Sequence, residues 1–233
     1  MNTVLIIFLV LVIAISIGLA FQYFNPDYLI SSAKPLLNSA GQTEIKASSI
    51  DMPGASRYFY EGWFYIHHNA PVYSANVLFN RGDDFVAVLL GSTLHICVNT
   101  KLNGGTGVNA DGVLDMGGVK PIVSIPDFPF QKWAHIVAHV DAMTVDVYLD
   151  GKLAKTAKNS IPLNVDPNSP IRYGNKYTVG DIARFRRPAE NINPQKVWNS
   201  FMMGSGQSTS ASEYHLNMQI TKNKQVRVNQ RLF

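Results

Sequence analysis

The chain has 233 residues, 46% of them hydrophobic and 11% aromatic, with 17 Gly and 12 Pro, a mixture that excludes a disordered chain or a bundle of long helices and favours many short strands joined by tight turns. A single cysteine, Cys97, excludes an intramolecular disulfide framework. The formal charge of +4 is unevenly held: residues 1–171 carry ten Lys and Arg against thirteen Asp and Glu, whereas residues 172–233 carry ten against three, so the last quarter is basic. Such a face suits an acidic protein, an anionic lipid surface or nucleic acid, and charge alone does not choose among them.

Val4 to Phe21 is an uncharged run interrupted only by Ser16 and Gly18. At 1.5 Å per residue a helix of that length reaches about 27 Å, just enough to span a bilayer. A cleaved secretory signal is the competing reading, but a basic start is missing, the apolar run is too long and no good small-x-small cleavage site follows. Residues 1–24 are therefore read as a single retained anchor, closed by Phe21, Tyr23 and Phe24 as an interfacial belt. No Lys or Arg precedes the run, whereas Lys34 and Lys46 follow it, and none of nineteen Asn residues begins an Asn-x-Ser/Thr sequon. Both features, like the free Cys97, place the following domain on the cytosolic side.

Residues 25–44 read as a juxtamembrane linker, and residues 45–233 as one sandwich domain. Strand signals recur at 45–50, 57–67, 76–80, 84–90, 93–99, 122–125, 134–141, 144–149, 153–158, 177–186, 214–221 and 225–228. The densest stretch is Lys132 to Thr156, where Asp141-Ala142-Met143 and Asp150-Gly151 mark two hairpin turns in succession. One helix is expected near 194–203, with Asn193 as cap, Pro194 in the first turn and Gly204 as terminator. Antiparallel strands without alternating helices predict an all-β, two-sheet antiparallel jelly-roll sandwich, with an eight-stranded barrel as the alternative.

Trp133, His135, Tyr148, Asp150, Gly151 and Leu153 form a Trp-x-His start followed by Val-Tyr-Leu-Asp-Gly-Lys-Leu. Together with Glu61-Gly62-Trp63-Phe64-Tyr65, Gly180 to Phe185 and Asn193 to Val197, they make the chain resemble, over roughly 45–205, the laminin-G-like, or concanavalin-A-like, lectin/glucanase sandwich family. The resemblance implies the fold; for function it leaves lectins, adhesion modules, hydrolases and structural units open. A narrower likeness is to virion proteins of large DNA viruses, in which one N-terminal anchor precedes such a sandwich and a C-terminal strand pair. It implies a minor capsid or membrane-associated component.

Catalytic chemistry finds little footing. Sandwich glucanases place two carboxylates on one strand, whereas Glu44, Glu61, Glu190 and Glu213 are scattered singly. His135 and His139 are four apart on a strand, about 13 Å, too far to share one zinc ion. Calcium, the better metal expectation, would take loop carboxylates such as Asp111, Asp115 or Asp181, the first two in the Gly-rich loop 101–118; that loop and Asp181 would also be the site of a glycan. Arg81-Gly82-Asp83 reads as turn chemistry before it reads as an adhesion tripeptide. The aromatic run 58–65 reads as core.

The set left unexplained by folding is Arg184, Arg186, Arg187, Lys196, Lys222, Lys224, Arg227 and Arg231, expected to form a basic face for partner proteins or membrane. Without interleaved exposed aromatics, nucleic acid is disfavoured. The expectation is a non-enzymatic membrane-anchored adaptor, a minor capsid protein tying the internal membrane of a large DNA virus to its capsid shell. The alternative is a membrane-displayed glycan-binding lectin.

Overall fold

The computed structural model describes residues 11–13, 15–16, 27–68, 75–82, 84–98, 113–114, 121–159, 166–207, 217–222 and 225–231. In chain order these form β1 (Lys34–Pro35), β2 (Thr43–Ile45), a 3-10 turn (Ala47–Ser49), β3 (Arg57–Ile66), β4 (Ala75–Arg81), β5 (Phe85–Leu90), β6 (Thr93–Val98), β7 (Val113–Leu114) and β8 (Val123–Ile125). There follow β9 (Trp133–Asp141), β10 (Thr144–Leu149), β11 (Lys152–Lys158), β12 (Ile171–Tyr173), β13 (Gly180–Arg186), α1 (Pro194–Met202), β14 (Asn217–Lys222) and β15 (Gln225–Arg231).

Two antiparallel sheets face each other, one ordered β1-β13-β3-β9-β10-β11 and the other β2-β12-β4-β5-β6-β8, with β7 beside β4. The architecture is the expected two-sheet sandwich, and the barrel alternative falls because the sheets are separate. Strand β3 shows why it holds. Successive side chains point to opposite faces, so Tyr58, Tyr60, Phe64 and Ile66 enter the core between the sheets while Phe59, Glu61 and Trp63 point outward. The core is an aromatic cluster in which Tyr60 lies 4.7 Å from Phe85 and 5.1 Å from Phe79 by ring centroid. The outer face of β3 is not solvated: α1 and the segment before it cover it, burying Phe59, Val137, Tyr148, Ile192 and Val197 together. A strand buried on both faces reads as an unbroken apolar run, and the aromatic run 58–65 is such a strand.

The turn chemistry lies where the residues place it. Asp150 and Gly151 both have positive φ (48° and 77°), as a tight hairpin with right-handed strand twist requires. Helix α1 begins where expected: the Asn193 side chain accepts from the Lys196 amide at 2.8 Å, and Pro194 occupies the first turn.

Several expectations are corrected. The segment read as a linker is part of the sandwich from residue 27 onward: Ile30 bridges to Phe185, β1 pairs with β13, β2 pairs with β12, and Leu36 is fully buried. The strand expected over 45–50 ends at Ile45, because its neighbour β12 is only three residues long and the ladder runs out. The strand expected from residue 177 starts at Gly180, because Asn175 Oδ1 accepts from the amides of Tyr177 and Thr178 and folds them into a turn. Strands β1, β7 and β12 have no counterpart in the sequence expectations. Among the described residues no helix is long and apolar enough to cross a membrane; most of the expected anchor, 1–24, lies outside the described residues, within which 11–13 and 15–16 are helical.

Candidate functional site

Among the described residues, polar side chains gather in a sealed cluster beneath α1 and in an open groove beside β1, β2 and β12.

The cluster is centred on Glu61, 2% exposed at the middle of β3. Its Oε1 accepts from His135 Nε2 on β9 at 2.9 Å and from the Ser200 hydroxyl on α1, and its Oε2 accepts from Arg186 on β13 at 2.5 Å. Three strands and one helix therefore converge on one carboxylate. Burial is the largest single influence on that carboxyl and pushes it up, but the His135 hydrogen bond, the Arg186 charge and Ser200 outweigh it and hold it below its ordinary value. Trp63 stacks on Phe201 at 5.7 Å and closes the cluster from the side. Serine, histidine and carboxylate in contact invite a catalytic reading, yet the order of contact opposes it. The Ser200 hydroxyl is bonded to the carboxylate and not to the imidazole, and His135 has no exposed surface. The group is a fastening between helix and sheet.

The next polar contacts along β9 follow the same logic. His139 reaches Asn191 Oδ1 at 3.3 Å and Asp146 at 3.7 Å, anchoring the segment that leads into α1. His95 pairs with Ser124 at 2.8 Å between β6 and β8. Among the described residues no three His, Cys, Asp or Glu side chains are grouped to hold a metal ion. Asp181 faces His67 at 3.7 Å, while Asp111 and Asp115 lie outside the described residues. Gly82 has φ of 53° in the turn after β4, and Asp83 lies outside the described residues.

The expected basic face divides. Arg187 is 3% exposed, lies over the Tyr58 ring at 4.2 Å and donates to the carbonyls of Asp51 and Met52, so it belongs to the interior and not to a surface. Arg186 is committed to Glu61. Arg184 sits in a β-bulge with φ of 46° and donates to the carbonyls of Met203 and Gly204, tying down the end of α1. Three successive arginines thus serve three internal contacts. Lys196 is exposed, with Glu190 3.9 Å away. Lys222, Arg227 and Arg231 belong to the β14–β15 hairpin, and Lys224 lies outside the described residues.

The groove, of about 830 Å³, is missed by sequence reasoning because it is walled by the supposed linker. It is lined by residues 27–32 and Lys34, by Glu44, Ile45, Lys46, Ser49 and Asp51, and by Tyr173. Its charged groups are Asp27, Lys34, Glu44, Lys46 and Asp51, of which Glu44 is held by Arg172 at 3.1 Å. Burial raises the Tyr28 hydroxyl despite Arg184 and Arg186 beside it.

The sequence profile of the concanavalin A-like lectin/glucanases superfamily matches residues 39–187. No curated protein sequence matches the chain. Among solved structures, the binding domain of botulinum neurotoxin serotype D is similar with a TM-score of 0.56 and 10% identity, over 73% of this chain and 42% of that one. The binding domain of Paraclostridial Mosquitocidal Protein 1 gives 0.49 and 12%, over 73% and 47%. The binding domain of botulinum neurotoxin DC in complex with SialylT gives 0.47 and 12%, over 63% and 35%. The chain spans less than half the length of each of these, and at such identities the likeness is one of fold.

Proposed function

The chain belongs to the concanavalin A-like lectin/glucanases superfamily, and we propose that within that fold family it is a non-enzymatic binding module held at a membrane surface. The observation that carries this reading is how its polar groups are spent. His135, Arg186 and Ser200 all bind the one buried carboxylate of Glu61, while the charged groups of the groove stand open to solvent. A buried carboxylate committed to three partners rigidifies a scaffold.

Attachment to the membrane is supported by the uncharged run from Val4 to Phe21 and by the helical, roughly half-exposed Leu11, Val12, Ile13 and Ile15 within it. Because the sandwich begins by residue 27, few residues separate it from that run, and the domain would ride close to the lipid. Lys34 and Lys46 after the run favour the cytosolic side.

In its finest form the reading is of an adaptor between the internal membrane of a large DNA virus and its capsid shell. What supports it is the order anchor, sandwich and basic hairpin β14–β15. Lysine cross-linking of intact particles or membranes, followed by mass spectrometry of peptides from 176–224, tests it. Links to a second protein are expected, and exclusively intramolecular links would overturn the adaptor. Glycan binding is the second reading, favoured by the superfamily, and glycan-array binding abolished by removing calcium would put it first.

A further inference from the structure

The groove beside β1 holds charges of both signs. Glu44 is taken by Arg172 at 3.1 Å. That leaves two carboxylates, Asp27 and Asp51, and two ammoniums, Lys34 and Lys46, all four exposed and none in a hydrogen bond or ion pair through its side chain with another described residue. Ser31 and Ser49 line the same space. A simple anion in this groove would meet the carboxylates, and a simple cation would meet the lysines. A ligand carrying both charges satisfies both pairs.

From these residues we propose that the groove binds the zwitterionic headgroup of a phospholipid, a phosphodiester linked to an ammonium, in the same membrane that holds the chain. Lys34 and Lys46, with the serine hydroxyls, take the phosphate oxygens through charge-assisted hydrogen bonds, and Asp27 and Asp51 take the ammonium. The volume of about 830 Å³ lies in the range of small-molecule sites and leaves room for the glycerol backbone beside the Tyr28 and Tyr173 walls. Position agrees with chemistry: Asp27 is six residues beyond Phe21, so the mouth of the groove is within about 20 Å of the end of the apolar run. The inference rests on the membrane-surface reading for its source of ligand. A phosphoethanolamine group on a soluble molecule carries the same chemistry, and the test separates the two.

The full-length chain in a non-ionic detergent is titrated by calorimetry with glycerophosphoethanolamine, and separately with ethanolamine and with glycerol 3-phosphate. The zwitterion is expected to bind at least roughly tenfold more tightly than either half, a difference of one decade in Kd. D27N/D51N and K34Q/K46Q are each expected to weaken it by a similar factor with unchanged Tm, while K132Q, on a remote surface pair with Asp150, leaves it unaltered. Equal binding of glycerol 3-phosphate and the zwitterion, or unaltered binding in both double variants, overturns the proposal. In a second arm, the chain extracted from mixed phosphatidylethanolamine and phosphatidylglycerol vesicles is weighed by native mass spectrometry. Retained phosphatidylethanolamine, lost in the double variants, supports the membrane source; soluble headgroup bound without retained lipid overturns it. Loss of headgroup binding with the chain still in the membrane removes the groove alone, whereas release from the membrane with headgroup binding intact removes the membrane reading alone.

Discussion

Ser200, reaching down from α1, donates its hydroxyl to Oε1 of Glu61 on β3 across 139 residues of sequence. The bond makes the helix part of the sheet, and it spends the one buried carboxylate of the six-stranded sheet on structure. Removing it with S200A leaves one of the carboxylate's contacts unmade and is expected to destabilise the fold by about 1–3 kcal/mol. E61Q removes the charge that compensates Arg186 and is expected to cost more, about 3–5 kcal/mol. Urea denaturation of the three proteins orders them; an S200A midpoint equal to that of the parent would show that α1 is held by apolar packing alone.

The same carboxylate predicts a pH dependence. Glu61 is held below its ordinary value of 4.5 in the folded protein by His135, Arg186 and Ser200, against the upward push of burial. A carboxyl lowered by folding contributes stability that is complete above its unfolded value and is lost as pH falls through its folded value. The stability difference between parent and E61Q is therefore expected to be constant above about pH 5 and to narrow as the pH drops below 4.5. A difference independent of pH down to the acid transition would mean that folding does not lower the Glu61 carboxyl, and one that widens as the pH falls below 4.5 would mean that folding raises it.

Cys97 is fully buried on β6, and burial pushes its thiol up to about 12. At pH 8 its thiolate fraction is on the order of one in ten thousand. Ellman's reagent is expected to label the native protein only at the rate of unfolding. Stoichiometric labelling within the mixing time would contradict the burial of β6.

Gly174, φ 74°, lets the backbone of Leu36 come close; a Cβ there would lie 2.3 Å from the Leu36 carbonyl oxygen. The G174A variant meets both the cost of the left-handed region, about 1–2 kcal/mol, and that collision. It is expected to push residues 34–38 off the sandwich, and hydrogen exchange reads this directly. Protection should fall at the amides of Leu36, Asn38 and Asn175, which bond to Gly180, Asn175 and Leu36. Protection unchanged at those amides would mean that the segment is not held by this contact.

Much of the fold is legible because its signals are local. The Asp150-Gly151 turn, the Asn193-Pro194 helix start and the β-rich run 132–156 each declare themselves in a few residues. Strands β1 and β12 do not, because two or three residues have no period to read, and their pairing with β13 and β2 is decided by tertiary contact. The groove escapes for the same reason, since its lining residues from 27–34, from 44–51 and at Tyr173 meet only in the folded chain. The three arginines 184, 186 and 187 mislead because a cluster of charge in sequence looks like a face. Strand alternation and the bulge at Arg184 send them to three different places.

In the proposed arrangement a binding sandwich rides on a membrane through the apolar run before it. Alkaline carbonate extraction of membranes carrying either the full chain or a chain begun at residue 25 tests this most directly. The full chain is expected to stay in the pellet and the shortened chain to appear in the supernatant with the parent's amide protection across β3 and β9. Release of the full chain by carbonate, or equal retention of both, would contradict it.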